Sequence, residues 1–258
     1  MTHTLMPSDG ADNRLATGKA TPPSDGPDRV RCPRRSGNGG ALHDGSRTLP
    51  HHCPTHGTRT MRATMIYLIR HGETVCNARR IVQQTDTPLS ARGALQAERV
   101  AARLADVGLT RIIASDYRRA RQTAAALAQG GTVPLELTPL LRERDLGRLR
   151  GRPYAEVEHL FYSPDDDPPG GETWARFLAR VSAAWDRIRQ AARAGGSPAR
   201  VAVVTHGLVC RALAEHQLEL EPGASPPTWF PNASVTLIDA APPWTLRHPV
   251  CVNHLDGL

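Results

Sequence analysis

Short apolar runs and amphipathic stretches alternate along the chain from residue 64 onward. Three apolar runs, at 64–69, 111–114 and 201–204, are too short for core helices and predict strands; the last is continuously apolar, as central parallel strands are. Spacings of three and four between apolar residues predict helices, and shorter β-rich runs predict more strands. These further elements are helices over 90–106, 117–129 and 173–193 and strands over 135–137, 234–239 and 245–250.

Strand and helix patterns that alternate over about 190 residues are typical of one α/β domain. We therefore predict a three-layer α/β/α sandwich with a mostly parallel central sheet. Within it, Ser90 is expected to cap the helix over 90–106, and Gly108 is expected to end it.

The first 60 residues differ in composition from the rest. They contain no Phe, Tyr, Trp or Ile, but 7 of the 22 prolines and 8 of the 22 glycines. Such a segment cannot bury enough apolar surface to offset its conformational entropy. We predict residues 1–62 to be a disordered extension, or one that precedes the true start codon at Met61 or Met65, and residues 63–258 to be the folded domain.

Charge, the length of the apolar runs and cysteine content indicate which partners and which compartment to expect. The formal net charge is +7, but no basic stripe is interleaved with aromatic residues, so we expect no nucleic-acid partner. No apolar run reaches the roughly 18 residues of a transmembrane helix, so we expect no membrane partner. The five cysteines are odd in number and scattered, which favours a reducing cytoplasm over a disulfide framework.

Polar clusters follow three of the predicted strands. Arg70 and His71 follow the first, residues 115–119 follow the second, and Thr205 and His206 follow the strand over 201–204. Ligands of open α/β sheets bind at the carboxyl ends of strands. An imidazole at that edge can act as a nucleophile, and a guanidinium beside it can hold an anion.

Four motifs along residues 65–258 occur in an order that resembles the motif order of the histidine phosphatase superfamily. This superfamily includes phosphoglycerate mutase and the phosphatase of fructose 2,6-bisphosphate. The motifs are Arg-His-Gly-Glu-Thr at 70–74, Arg-Ala-Arg-Gln-Thr at 119–123, Leu-Arg-Glu-Arg-Asp-Leu-Gly at 141–147 and Thr-His-Gly at 205–207. The segments Pro-Gly-Gly-Glu-Thr at 169–173 and Pro-Asn-Ala-Ser-Val at 231–235 also resemble family segments. Any one of these motifs is common, but the ordered set is specific.

This resemblance implies a role for each matching residue. His71 would attack phosphorus and carry the phosphoryl group as a phosphohistidine. Glu143 would give a proton to the leaving oxygen and then help to activate water. The other implied site residues surround or contact the phosphate: Arg70, Gly72, Asn77, Arg119, His206 and Gly207. No metal or other cofactor is expected, because the arginines supply the positive charge that phosphoryl transfer needs.

The implied roles also require particular pKa values of His71 and Glu143, and elementary electrostatics predicts the direction of each shift. Cationic neighbours should lower the pKa of His71 and keep it neutral for attack. Glu143 has to hold a proton near neutral pH, so burial or a neighbouring anion is expected to raise its pKa. Asp145 and Glu73 remain alternative carboxylates for this role. The protonation state of His206 stays open at this point.

The resemblance is compatible with two reactions, hydrolysis and mutase-type transfer, and with a protein that binds phosphate without catalysis. Pro169 lies only 22 positions beyond Gly147, whereas cofactor-dependent mutases of the superfamily carry a longer insertion there. This favours a phosphomonoester hydrolase, monomeric or homodimeric, that acts on a small phosphorylated metabolite. Phosphoglycerate-mutase-type transfer and a non-catalytic phosphate-binding protein remain alternatives. Leu149 and Arg150 stand where small phosphatases of the family often have Trp and Glu, so no particular substrate is carried over.

Overall fold

The computed structural model describes residues 64–128, 131–194 and 198–258. The predictions made for residues 1–62 lie outside the described residues. One six-stranded sheet has the strand order β3-β2-β4-β1-β5-β6. Its strands are β1 Met65–Arg70, β2 Arg111–Ser115, β3 Leu135–Thr138, β4 Arg200–Thr205, β5 Val235–Asp239 and β6 Leu246–Cys251.

The sheet is mixed, which corrects the prediction that it is mostly parallel. Strands β1 to β4 are mutually parallel, but β5 pairs antiparallel with β1, and β6 pairs antiparallel with β5. A connection of only six residues joins β5 to β6, which is too short for the crossover that a parallel pair needs. Because β5 runs opposite to β1, it is the start of β5 that lies at the carboxyl edge of the parallel strands.

Six α-helices and five short 3₁₀ turns complete the described part of the domain. The helices are α1 Val75–Ala78, α2 Ala91–Leu104, α3 Arg118–Leu127, α4 Tyr154–Val157, α5 Trp174–Ala194 and α6 Gly207–His216. The 3₁₀ turns are Ala105–Val107, Pro139–Leu141, Gly147–Leu149, Glu158–Leu160 and Asn253–Leu255. As predicted, the Ser90 hydroxyl caps α2 by accepting from Gly93 N–H, and Gly108 ends that region in the left-handed conformation.

Successive residues of each strand point to opposite faces of the sheet, and both faces are buried. Ile66 and Leu68 of β1 belong to a core cluster shared with α5 and α6. Tyr67 and Ile69 belong to a second cluster shared with α2 and α3. The period of two along one strand therefore feeds two cores, which confirms the predicted three layers.

Helix α6 was not predicted from the sequence. Six of its ten residues are buried, among them Leu208, Val209 and Leu213. An apolar stretch buried on most sides lacks the contrast between faces that identifies a surface helix, so its periodicity was not recognised. In the described part of the chain, no helix is both long and apolar enough to cross a membrane.

Candidate active site

Three neighbouring strands deliver the predicted site residues to one edge of the sheet. Strands β2, β4 and β1 are adjacent, and Arg70 at the end of β1 is in register with Thr205 at the end of β4. His71 N–H then donates to the Thr205 carbonyl at 2.9 Å. The chain segments that follow these strands therefore meet, although up to 137 positions separate their residues.

The backbone sets the tautomer of His71. Its Nδ1 lies 2.7 Å from the Gly72 carbonyl, which can only accept, so Nδ1 carries the proton. The lone pair is then on Nε2, which receives Arg119 Nε–H at 3.3 Å. Burial, followed by the charges of Arg119 and Arg70, holds the pKa of His71 well below its usual range. His71 is thus neutral at pH 7, as the nucleophile has to be.

Two buried guanidiniums lie beside this imidazole. Arg70 is 6% exposed and Arg119 is 3% exposed. Arg70 donates to the Phe230 carbonyl and lies 5.0 Å from the centre of the Trp229 ring. Burial lowers the pKa of Arg119 to about 10, against the opposing charge of Glu143, so Arg119 stays cationic at neutral pH. Two planar cations beside a neutral imidazole form a site for a phosphate dianion.

His206 lies behind His71 and is fully buried. The two ring centroids are 5.1 Å apart, and the planes meet at 60°. His206 Nε2 is 2.8 Å from the Ser115 hydroxyl, while its Nδ1 has no hydrogen-bond partner among the described residues. Burial first, and then the charge of Arg119, holds its pKa well below the usual range. His206 is therefore neutral before an anion enters the site.

Glu143 occupies a loop between two 3₁₀ turns and is partly buried. Its carboxylate accepts Leu208 N–H at 3.2 Å and Arg144 N–H at 3.1 Å. Burial raises the pKa of Glu143, although the Leu208 N–H, Arg119 and Arg70 act in the opposite direction. The shift has the predicted sign, so this carboxyl group is suited to hold a proton at higher pH than a free glutamate.

Gly72 has a packing reason for being glycine. A Cβ at this position would lie 2.5 Å from the Gly93 carbonyl oxygen of α2, which real side chains do not do. The Gly72 N–H donates to the Thr123 hydroxyl at 3.1 Å. Both backbone groups of Gly72 therefore form hydrogen bonds within the protein, and the carbonyl orients His71. The predicted direct phosphate contact of Gly72 remains a prediction.

Asn77 and Gly207 occupy different kinds of position. The Asn77 side-chain oxygen accepts Thr74 N–H at 3.2 Å and the Asn232 amide at 3.2 Å, so it stabilises the loop that follows His71. Asn77 is not among the residues that line the cavity in front of His71, whereas Gly207 is. A Cβ at Gly207 would lie 3.4 Å from the Arg70 guanidinium carbon. The phosphate contacts of both residues remain predictions.

The cavity in front of His71 has an aromatic wall that the sequence did not reveal. Six of the eleven Phe, Tyr and Trp residues of the chain line it: Tyr117, Tyr154, Phe161, Tyr162, Trp229 and Phe230. The cavity encloses about 790 Å³, open solvent at its mouth included. These rings come from three regions far apart in the chain, one of them beginning at the start of α4, and they share no periodicity, so the sequence carries no local signal that would group them.

The sequence motifs also did not predict two residues whose hydrogen bonds support the site. Asn232 donates to the His71 carbonyl at 3.0 Å, and the Gln84 carbonyl accepts from Arg119 at 3.1 Å. Across the ranges that the structure describes, no group of three or more His, Cys, Asp or Glu side chains is placed to hold a metal ion. The expected independence of metal stays a prediction.

The α/β fold and a neutral histidine beside two buried arginines at the carboxyl edge of its sheet define a candidate phosphate-binding domain. A family model described as histidine phosphatase superfamily (branch 1) matches residues 66–245. The chain belongs to this superfamily, as its motifs predicted.

Individual relatives carry more than one activity in their names. A Proteus mirabilis (strain HI4320) protein named "Probable phosphoglycerate mutase GpmB" is 34% identical over 209 residues, which are 75% of this chain and 95% of that protein. The structure of Bacillus stearothermophilus YhfR is 32% identical with a TM-score of 0.62, covering 75% of this chain and 100% of that one. A mycobacterial glucosyl-3-phosphoglycerate phosphatase in complex with VO3 is 25% identical with a TM-score of 0.58, covering 73% and 98%.

Proposed function

We propose that this protein is a phosphomonoester hydrolase that acts through a phosphohistidine on a small phosphorylated metabolite. The proposal depends on one observation: the His71 imidazole is neutral beside the buried cations Arg70 and Arg119, and its lone pair is on Nε2. Catalysis of phosphoryl transfer asks a protein mainly for positioning and charge stabilisation, and this arrangement offers both.

In the first step, the ester phosphate displaces the Arg119 Nε–H from His71 Nε2 and lies between the guanidiniums. A bond forms from Nε2 to phosphorus while the phosphorus–oxygen bond to the leaving group breaks. Glu143 gives its proton to the leaving oxygen. The imidazolium that forms keeps its Nδ1–H on the Gly72 carbonyl, 2.7 Å away, which stabilises the new positive charge.

In the second step, a water molecule attacks phosphorus from the side that the alcohol has left. The Glu143 carboxylate takes a proton from this water, and the bond between Nε2 and phosphorus breaks. His71 returns to its neutral state with the proton still on Nδ1, and inorganic phosphate leaves. In this scheme the neutral His206 shares the phosphate site with Arg70 and Arg119.

Chain length does not separate hydrolase from mutase. The Proteus mirabilis relative has mutase in its name, and 95% of its length is matched by 75% of this chain, so its overall length is close to that of this domain. The short segment between Gly147 and Pro169 therefore carries less weight than the sequence alone suggested.

The charges of the cavity wall favour hydrolysis. Among described residues, four arginines line the cavity: Arg70, Arg119, Arg144 and Arg150. Arg144 donates to the carbonyls of Glu172 and Leu160 at 3.1 and 2.8 Å, and Arg150 is paired with Asp145 at 2.7 Å. Arg144 also faces Asp167 at 3.7 Å, although its Nη2 makes no hydrogen bond among the described residues. Once a phosphate takes the first two arginines, the second acid group of a phosphoglycerate or a bisphosphate would have to compete with a carboxylate for either remaining lining arginine. The aromatic wall instead fits an ester whose alcohol is apolar or aromatic.

The test uses purified wild type and a His71→Ala variant without added metal. Wild type is expected to release phosphate from aryl and alkyl monoesters and to form an acid-labile ³²P-protein, and the variant is expected to do neither. A variant that still turned over p-nitrophenyl phosphate would remove the nucleophile assignment. Phosphate binding by wild type without labelling or turnover would support the non-catalytic alternative.

A second assay addresses the mutase alternative. Wild type is incubated with a phosphoglycerate and a catalytic amount of its bisphosphate, and isomerised product is measured beside free phosphate. Isomerisation faster than phosphate release would replace our proposal with phosphoryl transfer between substrate positions.

We also propose a cytoplasmic location and a monomer or homodimer that binds only a small-molecule ester. Three of the five cysteines lie in described residues, and all three, Cys76, Cys210 and Cys251, are free thiols. Free thiols fit a reducing compartment. Cell fractionation and sedimentation of the native protein test these two points.

A further inference from the structure

The loop that presents Glu143 has no regular secondary structure to hold its backbone. It runs between the 3₁₀ turns Pro139–Leu141 and Gly147–Leu149. Arg180 of α5 reaches into this loop from behind. Its Nη1 donates to the carbonyls of Leu140 and Arg142 at 2.8 Å each, and its Nη2 lies 3.5 Å from the Glu143 carbonyl. One guanidinium therefore contacts three backbone oxygens within three positions of the proposed acid.

Glu172 fixes the direction of that guanidinium. Its carboxylate accepts Arg180 Nε–H at 2.8 Å and Arg180 Nη2–H at 2.7 Å, a bidentate pair. The two side chains are only 14% and 19% exposed, so solvent screens them weakly. Glu172 also donates its N–H to the Asp145 carbonyl at 2.7 Å. The pair therefore contacts the loop on both sides of Glu143.

Backbone packing explains why the segment around Glu172 is rich in glycine. A Cβ at Gly171 would lie 2.4 Å from the Asp145 carbonyl oxygen, and a Cβ at Gly147 would lie 2.4 Å from the Pro169 carbonyl oxygen. Residues 168–172 and 145–148 thus run against each other at a distance that side chains would prevent. Glu172 is delivered to the loop by this close approach, and α5 begins two residues later at Trp174.

We propose that Glu172 and Arg180 are positioning residues that set the placement of the Glu143 carboxyl group relative to the leaving oxygen. This inference rests on the proposed function, because it requires Glu143 to be the proton donor. Neither Glu172 nor Arg180 itself lines the cavity in front of His71. Its loss should therefore impair proton transfer to the leaving group while phosphate binding and attack by His71 continue.

Arg180→Lys is the informative variant. Lysine keeps the positive charge, but its three N–H donors lie on one nitrogen, so it cannot serve the fork to Glu172 and the carbonyls together. We expect turnover of an alkyl phosphate to fall by about ten- to a hundredfold, the cost of a misplacement near 1 Å. Turnover of p-nitrophenyl phosphate should fall by less than about threefold, because its leaving group needs little protonation. KM for both esters should change little.

A matched control lies on the same helix. Arg187 of α5 pairs with Glu136 of β3 through Nε at 2.8 Å, with side chains 33% and 27% exposed, and neither residue lines the cavity. Arg187→Lys should leave the ratio of alkyl to aryl turnover unchanged. Glu172→Gln, which keeps the shape but loses the charge, should shift the ratio in the same direction as Arg180→Lys.

The outcomes separate this inference from the function on which it rests. If wild type forms no phosphohistidine at all, the proposed function fails. If wild type is labelled but Arg180→Lys loses both esters equally, or neither, the positioning inference is overturned. Thermal unfolding of each variant is recorded in parallel. If Arg180→Lys and Glu172→Gln are both unfolded at the assay temperature, the pair is a stability element and the inference is likewise overturned.

Discussion

Replacing Glu143 by Gln removes a titratable proton and keeps the size of the side chain. In the structure, its two carboxylate oxygens accept Leu208 N–H at 3.2 Å and Arg144 N–H at 3.1 Å. An amide has one oxygen, so one of these N–H groups would face an NH₂ group. The lost hydrogen bond should cost about 1–3 kcal/mol of unfolding free energy, measured by urea titration.

The effect on turnover should depend on the leaving group. Because burial raises the pKa of Glu143, the wild-type carboxyl can protonate a poor leaving oxygen. General acid catalysis of this kind contributes about 10²–10⁴-fold, so alkyl phosphates should lose about a hundredfold or more. p-Nitrophenyl phosphate leaves without protonation, so its attack step should persist. With this ester the phosphohistidine should accumulate, because the variant also lacks the base that activates water.

The pH profile supplies a second readout. A raised pKa keeps Glu143 protonated to higher pH than a free glutamate, and wild-type turnover of alkyl esters should fall as pH rises through that pKa. In Glu143→Gln this limb should vanish. Glu73→Gln is the matched control, since Glu73 bonds Ser90 and Arg92 rather than lining the cavity. Equal losses in the rate at which the two esters form the phosphohistidine, or an alkaline limb that survives the substitution, would refute our assignment of the acid.

Three further predictions concern stability and recognition. Thr123→Val removes the buried acceptor of Gly72 N–H and should cost about 1–3 kcal/mol, visible as a lower urea midpoint; an unchanged midpoint would contradict it. Burial lowers the pKa of His254 to about 4, so wild-type stability should fall as pH drops from 6.5 toward 4. His254→Gln should lose less stability across that range, checked by thermal unfolding at each pH. Trp229, 60% exposed at the cavity, should contribute to binding of aryl esters, so Trp229→Ala should raise KM for these by about two- to tenfold. KM for alkyl esters should rise by less, because the contact of the ring with Arg70 is lost for both kinds of ester.

The local sequence determined the parts of this protein that depend on near neighbours. The apolar runs that became β1, β2 and β4 were recognisable because a buried strand needs several consecutive apolar residues. The boundaries of α2 followed from Ser90 and Gly108, whose effects act within one turn of helix. Arg70 and His71 could be placed at the site edge because they directly follow a strand.

Only the tertiary structure decided which distant residues complete the site. The antiparallel direction of β5 brings Trp229 and Phe230 onto Arg70, 159 and 160 positions away in the chain. Arg180 contacts the Glu143 loop from α5. The periodicity of α5 predicts which face packs against the core, but it does not predict this contact. The aromatic wall is formed by three regions that are far apart in the chain. Such contacts are set by strand order and by close backbone approach, which propensity and periodicity do not encode, because both describe only residues within a few positions of one another.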